Sequence, residues 1–123
     1  MDRLELATER IRQFRDERDW LQFHNPKNLA ISISIEASEL LEHFQWSTPE
    51  QSFEIASKKK ESVAAEIADV AIYLIELADN LKIDLPKAIM EKISENEVKY
   101  PVHKARGNSL KYTELRDNKD SAT

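Results

Sequence analysis

Two acidic tetrads carry the residue types and the spacing for metal chemistry. Glu36-Ala37-Ser38-Glu39 lies within NLAISISIEASELLEHFQW, and Glu66-Ile67-Ala68-Asp69 lies within ESVAAEIADVAIYLIELADNL. Both stretches repeat apolar residues at helical spacing. Residues three apart on a helix share a face, so each run presents two carboxylates side by side. With about 100° per residue and Glu36 at zero, Leu29, Ile33, Leu40 and Phe44 fall at about 20–80°, and Glu39 about 60° to the other side. Counted from Glu66, the residues Val63, Val70, Leu74, Leu77 and Leu81 occupy the same arc, and Asp69 takes the offset of Glu39. Packing the two apolar stripes together brings four acids to one rim.

Four adjacent carboxylates repel, and burying an uncompensated charge is costly. Oxygen ligands in a chain without cysteine suit a hard divalent cation, Mg2+ ahead of Ca2+ or Mn2+. The plain alternative is a solvated face, since charged residues make up 33% of the sequence and a single tetrad of this kind is commonplace. Two matched tetrads, each bordering an apolar stripe, favour the metal site.

The rest of the chain must position those acids. A length of 123 residues suffices for one domain with its own core. The sequence holds 1 glycine and 4 prolines, against roughly nine and six at average usage, which points to a mostly helical chain with few turns. Without cysteine there is no disulfide framework, and no apolar run approaches the roughly 20 residues of a membrane span. The N-terminal stretch MDRLELATERIRQFRDERDW lacks a signal-peptide core, so the expected compartment is the cytoplasm and no membrane partner is expected. A net charge of −5 argues against a nucleic-acid binder that works by neutralising phosphates, while a small anionic substrate bridged by metal fits it.

A first amphipathic helix is expected over about residues 3–23, from Leu4, Ala7, Ile11, Phe14 and Leu21, with Asn25-Pro26 as the turn. Trp20 and Phe23 at its end read first as core packing and alternatively as the wall of a pocket for a flat ligand. The second helix, about 27–46, carries Ile31 and Ile35 off its stripe, and the third, about 61–82, carries Ile72 and Ile75 off its own. Helices apolar on more than one side are buried on more than one side, which implies a subunit interface. His43 reads as a surface residue. Residues 47–60 form the main break: a Ser47-Thr48-Pro49 turn, a short amphipathic piece around Phe53 and Ile55, then three lysines. Tyr73 falls within about 20° of Glu66 on the wheel, placing it in the core or against a ligand. Asp84-Leu85-Pro86 opens the fourth helix, where Lys92, Asn96 and Lys99 make either a solvated row or a phosphate grip. A di-iron bundle would need Glu-x-x-His on two helices, but His43 follows Glu39 by four and nothing answers it after Asp69. The domain is expected over 1–112, and 113–123 reads as a disordered tail.

ERDWLQFHNPKNL, EASELLEHFQW, EIADVAIYLIELAD, DLPKAI, KYPVHKARG and KYTEL together resemble the MazG-like nucleoside triphosphate pyrophosphohydrolases, and within them the small single-domain dCTP pyrophosphatase-like branch. The resemblance covers about residues 8–115 and implies an all-α, four-helix bundle-type fold assembled as a dimer or a dimer-of-dimers tetramer. It implies that Glu36, Glu39, Glu66 and Asp69 bind Mg2+, with Mn2+ as a possible substitute. It also implies that Trp20, Trp46 and Tyr73 enclose base and sugar with His24 in the same block, and that Lys92 and Asn96 approach the phosphates. Ile35 stands where many relatives begin the first tetrad with a second glutamate, and Ile11 stands where some carry a histidine near the base. The expected reaction is hydrolysis of a deoxynucleoside triphosphate, dCTP or a modified dCTP foremost, to the monophosphate and pyrophosphate. A carboxylate left free by the metal, Glu36 or Glu39, would take the proton of the attacking water. The alternatives are another nucleotide such as dUTP or dATP, and a helical binding module without catalysis.

Overall fold

The computed structural model describes residues 1–115, and every regular element among them is helical. In order these are α1 (Arg3–Glu17), a 3-10 turn (Leu21–Phe23), α2 (Pro26–Glu42), α3 (Pro49–Lys58), α4 (Lys60–Asn80), α5 (Leu85–Lys99) and α6 (Val102–Ala105). A last helical turn covers 112–115. The described residues belong to two compact units, Met1–Ile83 and the part from Asp84 onward.

In the first unit α4 is the central element. It packs chiefly on α2, and also on α1 and α3. This is the pairing that the two apolar stripes predict, and Leu29, 1% exposed, sits at its heart. The stripe on α4 is less completely covered than the wheel suggests, since Leu74 and Leu81 remain exposed. Outside the seam, Ile31, Ile35 and Ile72 are also exposed.

Local signals explain most helix starts. Asp2 accepts from Glu5 N–H while the Glu5 side chain accepts from Asp2 N–H, a reciprocal cap worth about 1 kcal/mol. Asn25 caps α2 through Asn28 N–H, with Pro26 at its first position, where no amide hydrogen is missed. The supposed break at 47–60 holds a helix of its own. Thr48 and Gln51 form a second reciprocal cap and Pro49 opens α3, so the proline that suggested a turn marks an N-terminus. Lys59 alone separates α3 from α4.

The first helix stops six residues earlier than its apolar spacing predicts. Asp19 adopts a left-handed φ of 54°, its N–H donates to Asp16 C=O, and Trp20 N–H donates back to Arg15 C=O at 3.0 Å. This is the helix stop usually built on glycine, made here by an aspartate. Lys82, with φ 57°, ends α4 in the same way, with Ile83 N–H donating to Ala78 C=O at 2.8 Å.

In the second unit, Asp84 accepts from Lys87 N–H at 3.1 Å and starts α5, as its sequence suggests. Tyr100 and Tyr112 meet edge to face, and Lys99 lies over the Tyr112 ring. Of the stretch expected to be a disordered tail, 113–115 belong to the last helical turn, with Leu115 buried, and the remainder lies outside the described residues. Among the described residues no helix is long and apolar enough to cross a membrane.

Candidate metal centre

Packing α2 against α4 brings the tetrads together. Glu36, Glu39 and Glu66, all half-buried, each offer a carboxylate oxygen, and the three lie within 4.8 Å of one another. Asp69, one helical turn beyond Glu66, stands outside that trio but close enough for its charge to act on it. The electrostatics record the crowding. A proton shared with Glu39, then burial, then the negative charges of Glu39, Asp69 and Glu66 push the Glu36 carboxyl up to about 7. Burial first, then Glu39 and Asp69, raises Glu66 as well, and His43 opposes the rise. His43 caps the C-terminal end of α2 and is half-buried beside the acids, so it is not the plain surface residue its position suggested.

Two oxygens sharpen the point. Glu36 Oε2 and Glu66 Oε2 are buried without a hydrogen-bond partner among the described residues. Buried carboxylate oxygens without partners are costly, and a hard divalent cation with oxygen ligands would satisfy both them and the accumulated charge. The donor set therefore fits such an ion.

Beside the acids a groove of about 720 Å³ runs between α1 and α4. Its walls include Ile11, Phe14, Trp20, His24, Ile72 and Tyr73, and Asp69 reaches its edge. Trp20 lines this groove and is 41% exposed, so it is not packed in the core. The Phe14 and Trp20 rings meet edge to face at 5.6 Å. His24 stands between Trp20 and Tyr73, with ring centroids 6.1 and 6.4 Å away. Tyr73 links groove and acids: burial raises its hydroxyl pKa, with Glu36, Glu76 and Asp69 adding to the effect and a hydrogen bond with Ser32 opposing it.

Other expected site residues are exposed. Trp46, in the turn after α2, is 90% exposed and does not line the groove. Lys92 and Asn96 are exposed on α5 in the second unit, where Lys92 pairs with Glu95 at 3.4 Å. Two residues of the groove escape a reading by periodicity, Arg15 and Glu76, which are 8% and 3% exposed. One signal was available for Glu76: it interrupts the apolar run Tyr73-Leu74-Ile75-Glu76-Leu77-Ala78, where an acid needs a partner.

Residues 31–115 match the MazG-like family. Over 105 residues the chain is 44% identical to the dCTP pyrophosphatase 1 proteins of Rattus norvegicus and Homo sapiens, which takes in 84% of this chain. It spans 62% of the length of those relatives. A crystal structure of a pyrophosphatase from Archaeoglobus fulgidus superposes with a TM-score of 0.79 at 47% identity, covering 82% of this chain and 94% of that one.

Proposed function

Because this chain belongs to the MazG-like family, we propose that it is a Mg2+-dependent pyrophosphohydrolase. It would cleave a deoxynucleoside triphosphate, dCTP or a modified dCTP foremost, to the monophosphate and pyrophosphate. One observation carries the reading: a cluster of carboxylates, two of whose buried oxygens have no partner among the described residues, adjoins an aromatic groove, with Asp69 and Tyr73 common to both surroundings.

In this proposal Glu36, Glu39, Glu66 and Asp69 hold the cation. Bound there, Mg2+ supplies charge neutralisation for the phosphate oxygens and acidifies the attacking water. The carboxylates fix where the triphosphate stops, so that positioning contributes much of the rate. Glu36 or Glu39, whichever keeps a free oxygen, accepts the water's proton. Trp20, His24 and Tyr73 receive the base and sugar in the groove, and Lys92 and Asn96 serve the phosphates. The exposed Ile31, Ile35 and Ile72, together with the bare Trp46 ring, support a homo-oligomer, a dimer or a dimer of dimers, in which a neighbouring copy completes the site. The cytoplasmic nucleotide pool is the proposed setting.

The test is a panel of canonical and modified nucleoside triphosphates with Mg2+, read by pyrophosphate release. dCTP or a modified dCTP should be turned over fastest. Release from none of them, together with no Mg2+-dependent thermal shift, would leave only a helical binding module.

A further inference from the structure

Arg15 and Glu76 are the buried charged residues among those described, and both line the groove. Glu76 lies seven residues after Asp69, two turns along the same face of α4, and so further into the groove from the acids. His24 Nδ1 contacts Glu76 Oε1. A carboxylate only accepts, so the ring nitrogen is the donor. Asn80 Nδ2 also donates to the His24 carbonyl at 3.1 Å, which ties the same residue down by its backbone.

This wall of the groove therefore offers an acceptor at Glu76, tethered by His24, which stands between the Trp20 and Tyr73 rings. The guanidinium of Arg15 supplies donors nearby, and the Glu76 charge is among those that raise its pKa. A carboxylate has about four lone-pair sites, and the bond to His24 uses one. A 4-aminopyrimidine presents one donor followed by two acceptors along its pairing edge, whereas a 4-ketopyrimidine presents an acceptor in place of the amino group.

Resting on the pyrophosphohydrolase reading, we propose that Glu76 is the specificity-determining residue of the groove: tethered by His24, it accepts from the 4-amino group of a cytosine-type base and disfavours 4-keto pyrimidines. Glu76→Gln keeps the shape and adds a donor, so it should erase that preference.

The experiment measures kcat/KM for dCTP, dUTP and the 2-pyrimidinone deoxynucleoside triphosphate, which lacks the 4-amino group, in wild type and in Glu76→Gln. Wild type should favour dCTP over each of the others by about tenfold or more, as expected where a buried acceptor is left unpaired by the wrong base. Glu76→Gln should bring the ratios within about threefold, mostly through KM. A wild type that treats dCTP and the 2-pyrimidinone analogue alike overturns the proposal, whether or not the variant folds. Ratios unchanged in a folded Glu76→Gln overturn it too, and reduce Glu76 to a structural partner of His24. Preference of the wild type for dUTP sinks this assignment alone, while absence of pyrophosphate release from every nucleotide sinks the enzymatic reading with it.

Discussion

Helix α4 carries acids in two opposite settings. Near its start Glu66 and Asp69 face the carboxylates of Glu36 and Glu39, and Glu36 and Glu66 titrate upward. Two to three turns on, Glu76 meets His24, and Asp79 accepts from Arg12 Nε at 2.8 Å. There the Arg12 hydrogen bond and charge hold the Asp79 carboxyl below its usual range. The same residue types on one helix thus divide by company. Acids with an internal hydrogen-bond donor are tied to a second element of the fold, and acids without one carry charge that a bound cation would offset.

The sharpest way to break this contrast is to remove one unpaired acid. Glu39→Gln or Asp69→Asn should lower pyrophosphate release by at least about a hundredfold while circular dichroism remains helical. Full activity of either variant with Mg2+ contradicts the division. Next in size is the response to the ion itself. At a Mg2+ concentration about a hundredfold above Kd, linkage contributes about 2.7 kcal/mol, or a Tm rise of roughly 10 °C for a chain of this size. Glu36→Gln or Glu66→Gln should abolish most of that rise, and Arg12→Ala should leave it intact.

A third test uses pH without added metal. Below the ordinary value of 4.5, Glu36 is protonated in folded and unfolded chains alike, and between 4.5 and about 7 the folded chain alone keeps the proton. The cation-free protein should therefore lose Tm as pH rises from about 5 to about 7.5, and Glu36→Gln should flatten that slope. Asp79 has the opposite sign. Its lowered pKa adds stability above the ordinary value of 3.8, which is lost as pH falls below it. The smallest effect follows from this: Arg12→Ala should trim Tm at neutral pH by a few degrees and weaken the acid-side transition. If Arg12→Ala instead removed the Mg2+ response, the two ends of α4 would not be independent.

The unpaired end was legible in the sequence because its logic is local. Glu36 with Glu39, and Glu66 with Asp69, need only the helical repeat and a shared apolar stripe to be placed on one rim. The helix start at Asp84 is local in the same sense. The paired end was not legible, because His24 and Glu76 are 52 residues apart, and no periodicity announces a contact made only by tertiary packing. α3 was misread for a different reason: a proline after Thr48 signals a turn and a helix start equally well, and the Gln51 half of the cap decided it. The early end of α1 was hidden because aspartate, not glycine, occupies the left-handed position.

That aspartate has a further consequence. Trp20 stands where it does because main-chain geometry at Asp19 aims it, so the stop of α1 acts as a hinge pin for one jamb of the groove. Asp19→Gly would relieve about 1 kcal/mol of backbone strain and keep the jamb in place. One residue inserted between Asp16 and Trp20 would swing the indole about 100° around the helix axis. Drift at this corner is therefore tolerated in the identity of side chains but not in the length of the chain.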